Sequence, residues 1–237
     1  MRVTHTALPA DAVTYHASLA DDWDHRYRKR SFRAREAVLL KCLQGRDLAA
    51  TLWLDAGCGT GRLSRWLATR GCNVVGVDAA SEMVSIATDL AKSGGHSDRL
   101  KCARVGTIAH LPMENSSLDG ILCSSVLEYV SDPGACLIEF ARVLKQGGLL
   151  LVSVPNRTSL VRRMQIACHS LGTLVRTDWV KFLDYSHQQY SPREFEQLLA
   201  LAGFSLEKVV PFGSPLSALA LRSRTWASLL MFVAHKP

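Results

Sequence analysis

The stretch Thr51 to Gly61, TLWLDAGCGTG, constrains this chain more than any other, because an apolar run ends in an acid and then turns through three glycines in five residues. Gly57, Gly59 and Gly61 carry no Cβ, so the backbone can take positive φ and approach a ligand edge that any side chain would push away. The residues that follow set Leu63, Trp66 and Leu67 on one helical face and stop at Gly71. Strand, glycine turn and helix in that order form a nucleotide-binding element, with the loop fixed between two packed segments.

Spacing decides which nucleotide such an element takes. A phosphate-cradling loop ends in Gly-Lys-Ser/Thr, whereas Gly61 is followed by Arg62 and Leu63. A dinucleotide fingerprint would place its last glycine where Arg62 stands. What remains is Asp55-x-Gly57-Cys58-Gly59-Thr60-Gly61, followed by a second β-run, Asn73 to Val77, that ends in Asp78. On these residues the chain resembles the class I S-adenosylmethionine-dependent methyltransferases. The resemblance implies that Asp55 helps hold the methionine end of the cofactor and that Asp78 accepts hydrogen bonds from the ribose hydroxyls, with Ala79 beside it. An acid at that place also suits a sulfonium cofactor, whereas it would repel a pyrophosphate.

With 237 residues the chain is long enough for one large domain with a substantial core, and its 48% apolar share is ordinary for a globular protein. Its seven cysteines form no Cys-x-x-Cys pair, and several stand inside apolar runs, so they read as buried free thiols in a reducing cytoplasm. The first residues, MRVTHTALPADAVTYH, contain no apolar signal core, and Arg222 and Arg224 interrupt the longest apolar C-terminal stretch. Neither a signal peptide nor a membrane span is expected.

Residues 1 to about 14 read as a loose arm. Tyr15, Trp23 and Tyr27 then punctuate a segment with six basic residues from Arg26 to Arg35, and Ala34, Val38, Leu39 and Cys42 give it a helical face. Read alone, these charges form a solvated helix surface; the resemblance implies instead that this part, residues 1–48, folds over the cofactor as a helical cap, with Tyr15, Trp23, Arg33 and Arg35 as candidates to reach the ligand. Residues 49–237 form the cofactor-binding domain.

After Asp78, Met83, Ile86, Ala87 and Leu90 recur at helical spacing. By resemblance Met83 packs on the adenine. The block VGTIAHLPMENSSLDGILCSSVLEYV is similar to the family's Gly-Asp-Ala-x-x-Leu-Pro pattern, with Thr107 in place of the acid that accepts from the adenine amino group. A hydroxyl can still accept that bond, and the Ile108 N–H can still donate to the ring, so weaker adenine binding is expected. Ser124 and Ser125 leave the fourth strand at the edge where open α/β sheets bind ligands, and should line the junction of cofactor and substrate. CSSVLEY lacks the Asn/Asp-Pro-Pro-Tyr with which DNA amino-methyltransferases grip a flipped base, so no nucleic-acid partner is expected. Glu128 falls where quinone-pathway O-methyltransferases carry Glu-His, but Tyr129 replaces the histidine. A metal is therefore not expected, and Glu128 reads as polar lining.

Asp132 and Pro133 begin a helix whose stripe is Leu137, Phe140, Ala141 and Leu144 and which stops at Gly147, ahead of a buried strand LLLVSVP. Ser191, Pro192 and Glu194 form a capping box for a last helix. Two β-runs, Phe204 to Val210 and Trp226 to Ala234, remain. Residues 156–190 are too long for a plain crossover and should form a helical lid over the substrate. The lid holds five basic residues against Asp178 and Asp184. It reads as having a solvated outer face; a peripheral membrane contact or a grip on an acidic, apolar substrate are the alternatives.

The fold expected is α/β: a doubly wound, seven-stranded, mostly parallel Rossmann-like methyltransferase sheet with a helical cap. The resemblance implies S-adenosyl-L-methionine as cofactor and methyl transfer to a small molecule, a secondary metabolite or a quinone- or lipid-like acceptor. The alternatives are a non-catalytic cofactor-binding partner protein and a nucleotide-dependent oxidoreductase. In DYSHQQYSP, His187 and Tyr190 match the place from which many small-molecule members bring a histidine or tyrosine over the acceptor. They are the catalytic candidates, His187 as proton acceptor because imidazole titrates near neutrality.

Overall fold

The computed structural model describes residues 10–27, 30–170, 181–213 and 223–237. Seven strands form one sheet: β1 (Leu52–Ala56), β2 (Asn73–Asp78), β3 (Leu100–Arg104), β4 (Leu118–Ser124), β5 (Leu144–Pro155), β6 (Ser205–Phe212) and β7 (Leu229–His235). Their order is β3-β2-β1-β4-β5-β7-β6. Strands β1 to β5 pair in parallel, and β7 is antiparallel to both β5 and β6. The chain leaves β1 toward one edge and returns at β4 on the other side, so the two carboxyl ends flank a crevice where doubly wound sheets bind ligands.

Alternation along the strands divides the interior. Leu54, Ile121, Leu150 and Val152 face a core completed by Phe140, Phe195 and Phe232. Their neighbours Trp53, Leu122, Leu151 and Val233 face the other side with Leu39 and Leu67. Successive strand residues point to opposite faces, and a sheet covered on both faces therefore reads as a continuous apolar run.

The helices are α1 (Ala10–Ala17), α2 (Ala20–Tyr27), α3 (Arg30–Leu43), α4 (Arg62–Ala68), α5 (Ser81–Ser93), α6 (Pro133–Val143), α7 (Leu160–Ser170) and α8 (Pro192–Leu201). Asp132 caps α6 by accepting from the Ala135 N–H, and Ser191 and Glu194 close the expected capping box on α8.

Three boundaries depart from the sequence reading. Helix α1 begins at Ala10, inside the arm expected to be loose, because Ala12 and Val13 pack inward. Helix α6 ends at Val143: Leu144 turns to extended backbone and opens β5 opposite Leu118. Gly147 is thus a left-handed bulge within β5, its N–H donating to Lys236 O, and not a helix stop. The last strand starts at Leu229, not Trp226.

The segment 156–190, expected to form a lid, contains α7 and a short turn, Lys181–Asp184. Its middle, 171–180, with Leu171, Arg176 and Asp178, lies outside the described residues. Asn156 anchors the base by donating to the carbonyls of Arg224 and Ala227 at 2.7 and 2.9 Å. Among the described residues no helix is long and apolar enough to cross a membrane.

Candidate active site

The glycine turn is held from both sides. Gly57 and Cys58 N–H groups both donate to Val77 O, at 2.8 and 2.9 Å, so the loop folds back over the end of β2. Asp78 then clamps it: Oδ2 accepts from Gly59 N at 2.9 Å and Oδ1 from Ala80 N at 3.0 Å. Each carboxylate oxygen retains lone pairs for a further donor. Gly57 has φ +75°, and a Cβ there would lie 2.2 Å from Val126 Cγ2, so this position needs glycine for both backbone and space. A Cβ on Gly59 would come 3.3 Å from Trp23 Nε1, which brings α2 directly over the loop.

Asp55 ends β1 beneath the turn. Ser64 Oγ donates to its Oδ2 at 2.5 Å, and burial pushes the carboxyl up to about 7, with Asp78 adding to the rise. A desolvated carboxyl with one strong donor is a group that an incoming cation would ionise. These features suit S-adenosylmethionine: a glycine cradle, a clamped acid for hydroxyl donors, and a buried acid for a cation.

Of the remaining cofactor candidates, Met83 is buried and packs with Ala80 against Val13, Ala17, Trp23 and Ile86. Ala79 follows Asp78, its carbonyl accepting from Arg104 Nε at 3.1 Å. Ile108 is buried, and Thr107 Oγ1 accepts from Ala109 N at 3.1 Å, so the hydroxyl already closes a local turn. Ser124 Oγ lies 3.3 Å from Ser153 Oγ at the exit of β4. Asp55, Asp78, the glycines and Ser124 thus converge at the carboxyl ends of β1, β2 and β4, with Thr107 and Ile108 just beyond β3.

The N-terminal segment covers this crevice. Tyr15 stacks on Tyr185 with ring centres 4.4 Å apart, joining α1 to the lid. His16 packs edge-on against Tyr129 at 4.8 Å and lies 5.6 Å from Trp23, and burial lowers its pKa. Arg35 donates to Ser125 Oγ at 3.0 Å, whereas Arg33 is exposed.

The two catalytic candidates stand apart in environment. The His187 N–H donates to Glu128 O at 2.9 Å, but its side chain is exposed. Tyr190 packs edge-on against Phe195 at 5.0 Å, its hydroxyl reaches Gln188 Oε1 at 3.4 Å, and burial raises its pKa.

Sequence reasoning missed His16 and the inward turn of α7. That helix buries Arg162 (3% exposed) and Gln165 (7%) while leaving Leu160 (41%) and Met164 (52%) exposed. An apolar stripe ordinarily marks the core side of a helix. Here the inward face is mixed, with Arg162 and Gln165 buried beside Val161 (5%), so polar groups enter the interior with an apolar one. The expected solvated face is only partly so, with Arg163 outside and Arg162 inside.

A family model described as "Methyltransferase domain" matches residues 54–152. A ubiquinone biosynthesis O-methyltransferase from Xylella fastidiosa is 33% identical over 214 residues, covering 88% of this chain and 83% of that protein. Its counterpart from Xanthomonas oryzae is 37% identical over 145 residues, 60% of this chain; the match spans 59% of that relative's length. In structure, the magnesium protoporphyrin IX methyltransferase of Synechocystis, solved with bound SAH, superposes with a TM-score of 0.71 at 18% identity, covering 94% of this chain and 97% of that one. The chain belongs to the class I S-adenosylmethionine-dependent methyltransferases, a family whose cofactor is S-adenosylmethionine.

Proposed function

We infer that this protein transfers the methyl group of S-adenosylmethionine to a small-molecule acceptor. The observation that supports it best is the clamp of Asp78 on the Gly59 and Ala80 amides beside the buried Asp55. That arrangement offers acceptors to a ribose and an ionisable acid to the methionine end. The cofactor contacts assigned are Asp55, Gly57, Gly59, Gly61, Asp78, Ala79, Met83, Thr107, Ile108 and Ser124. The relatives named for ubiquinone biosynthesis support an apolar or quinone-like acceptor. Methyl transfer from a sulfonium is an in-line displacement, so alignment and exclusion of water do most of the catalysis, and a base is required only where the acceptor begins protonated. The N-terminal segment and lid are suited to that exclusion, and His187 and Tyr190 border the acceptor side.

Equilibrium binding of S-adenosylmethionine, followed by mass spectrometry of products across hydroxylated, amine and thiol acceptors, tests this reading. Saturable binding with formation of S-adenosylhomocysteine and a product one methyl heavier supports it. Saturable binding with no product from any acceptor would favour a cofactor-binding partner protein, and no binding would overturn both.

A further inference from the structure

The turn Leu127–Tyr129, the strip Ser186 to Gln189 hydrogen-bonded to it and helix α7 bury polar groups close to one another. Glu128, Gln165 and Ser186 are 4%, 7% and 9% exposed. Glu128 Oε2, Gln165 Oε1, Ser186 Oγ and Gln189 Oε1 are buried and make no hydrogen bond among the described residues. Buried polar atoms are almost always paired, because desolvating one without a partner is unfavourable. A carboxylate oxygen and amide oxygens only accept, and a serine hydroxyl can do so. The same cluster carries the buried Arg162 guanidinium, which only donates, so a complementary ligand both donates and accepts, as a hydroxyl does.

These groups lie on segments that meet beside the cofactor loop. Glu128 sits in the turn Leu127–Tyr129, two residues beyond Val126, the side chain seated against Gly57. Glu128 O accepts from His187 N and Gln188 N at 2.9 and 3.3 Å, which lays Ser186 to Gln189 along the same turn. Helix α7, carrying Arg162 and Gln165, packs on the turn Lys181–Asp184 just before that strip.

Around the Glu128 carboxyl the cations are Arg162 from α7 and Arg35 from α3, and the neutral titratable groups are Tyr129, Tyr190 and the Cys123 thiol. Burial pushes this carboxyl up to about 7, with its own backbone N–H and then the two arginines opposing the rise. Two cations disfavour an ammonium ligand and favour one that becomes negative as it reacts.

We propose that Glu128 is the proton acceptor for a weakly acidic hydroxyl on the methyl acceptor, with Arg162 and Arg35 as positioning residues that hold the charge developing on its oxygen. This rests on the methyl-transfer reading. Glu128 Oε2 takes the hydroxyl proton, and the O–H pair becomes available on oxygen. That oxygen forms its bond to the methyl carbon as the carbon–sulfur bond breaks, and the breaking pair stays on sulfur, turning the sulfonium into a neutral thioether. The carboxyl later returns its proton to solvent. His187, whose side chain is exposed, is then a substrate contact or a proton exit and not the first acceptor.

The test uses phenols of graded acidity as probes: phenol, 4-chlorophenol and 4-nitrophenol, the last already ionised at mildly alkaline pH. Methyl transfer is followed by S-adenosylhomocysteine release. Glu128→Gln should lower kcat on phenol by about 10²-fold. It should lower kcat on 4-nitrophenol only a few-fold, because no proton then needs removal. KM should move little, and the inflection near neutrality in the wild-type rate profile should vanish. S-adenosylhomocysteine affinity measured by calorimetry should be unchanged, which shows that the variant is folded. An equal fall on all three phenols, or none, overturns the role of Glu128. Wild-type protein that binds S-adenosylhomocysteine but methylates none of them also overturns it, while leaving the cofactor site intact. Wild-type protein that does not bind S-adenosylhomocysteine overturns the methyl-transfer reading itself.

Discussion

Arg35 reaches from α3 to donate to Ser125 Oγ at 3.0 Å, joining the segment before the first strand to the residue that leaves the fourth. Ser125 has φ +58°, an uncommon conformation for a non-glycine residue, and its N–H is tied to Ser153 Oγ at 3.0 Å. The cap is thus fastened at the junction assigned to cofactor and acceptor.

Loss of this fastening should loosen the cap more than the fold. Arg35→Ala is expected to weaken S-adenosylhomocysteine binding by roughly 1.5 kcal/mol, the lower end of the range for one hydrogen bond to a charged group. Limited proteolysis should show faster cleavage near residues 18 and 19, between α1 and α2, while the thermal midpoint changes little. Unaltered affinity and cleavage would show that the contact is incidental.

Gly57 supplies a packing test. Ala at φ +75° would be strained, and its Cβ would press on Val126, so Gly57→Ala should lower stability by roughly 1–3 kcal/mol and abolish cofactor binding. Adding Val126→Ala should recover part of the stability by removing the clash. A double-mutant cycle in denaturant would detect that coupling, and strict additivity would mean that the clash is not what matters.

The architecture was legible because it follows from local signals. Two β-runs ending in Asp55 and Asp78, a glycine turn between packed elements, and capping residues at Asp132 and Ser191 each fix an element without reference to distant parts of the chain. Leu144 was misplaced because it continues the helical stripe of Leu137 and Phe140, while its pairing with Leu118 is a tertiary preference. The site was legible only where a motif carries it. Helix α7 buries Arg162 and Gln165 beside Val161 and leaves Leu160 and Met164 exposed, and one-helix periodicity, which assumes an apolar interior, does not place two polar residues on the inner face. Nothing in the sequence around His16 marks it; it gains its position only when α1 folds against Tyr129.

Asp55 predicts a pH dependence. Its folded pKa is raised from 3.8 to about 7, mainly by burial. The neutral form therefore supports the ligand-free fold, fully below the unfolded value, and that contribution is lost as pH rises from there through about 7. Cofactor binding has the opposite sign, since a cation favours the ionised acid. Affinity for S-adenosylmethionine should rise as pH approaches about 7 and level above it, with proton release on binding below that point. Calorimetry in buffers of different ionisation enthalpy measures the release. Asp55→Asn should abolish it; an identical profile in the variant would assign the proton elsewhere.

By resemblance Thr107 takes the place of an acid, and its hydroxyl is already engaged by Ala109 N. Thr107→Asp should tighten cofactor binding several-fold, because a carboxylate can accept from that N–H and from the adenine amino group together. Circular dichroism should show the fold unchanged. Weaker binding would mean that the adenine lies away from residues 107 and 108.

Asp78 clamps the glycine loop, and the proposed function gives it the ribose of the cofactor as well. Calorimetric titration of S-adenosylmethionine into wild-type protein and Asp78→Ala tests this most directly, with a thermal melt to confirm folding of the variant. Saturable one-to-one binding to the wild type, weakened in the variant by roughly 2–3 kcal/mol, is predicted from the loss of two charge-assisted hydrogen bonds. Equal affinity in the two proteins would contradict it.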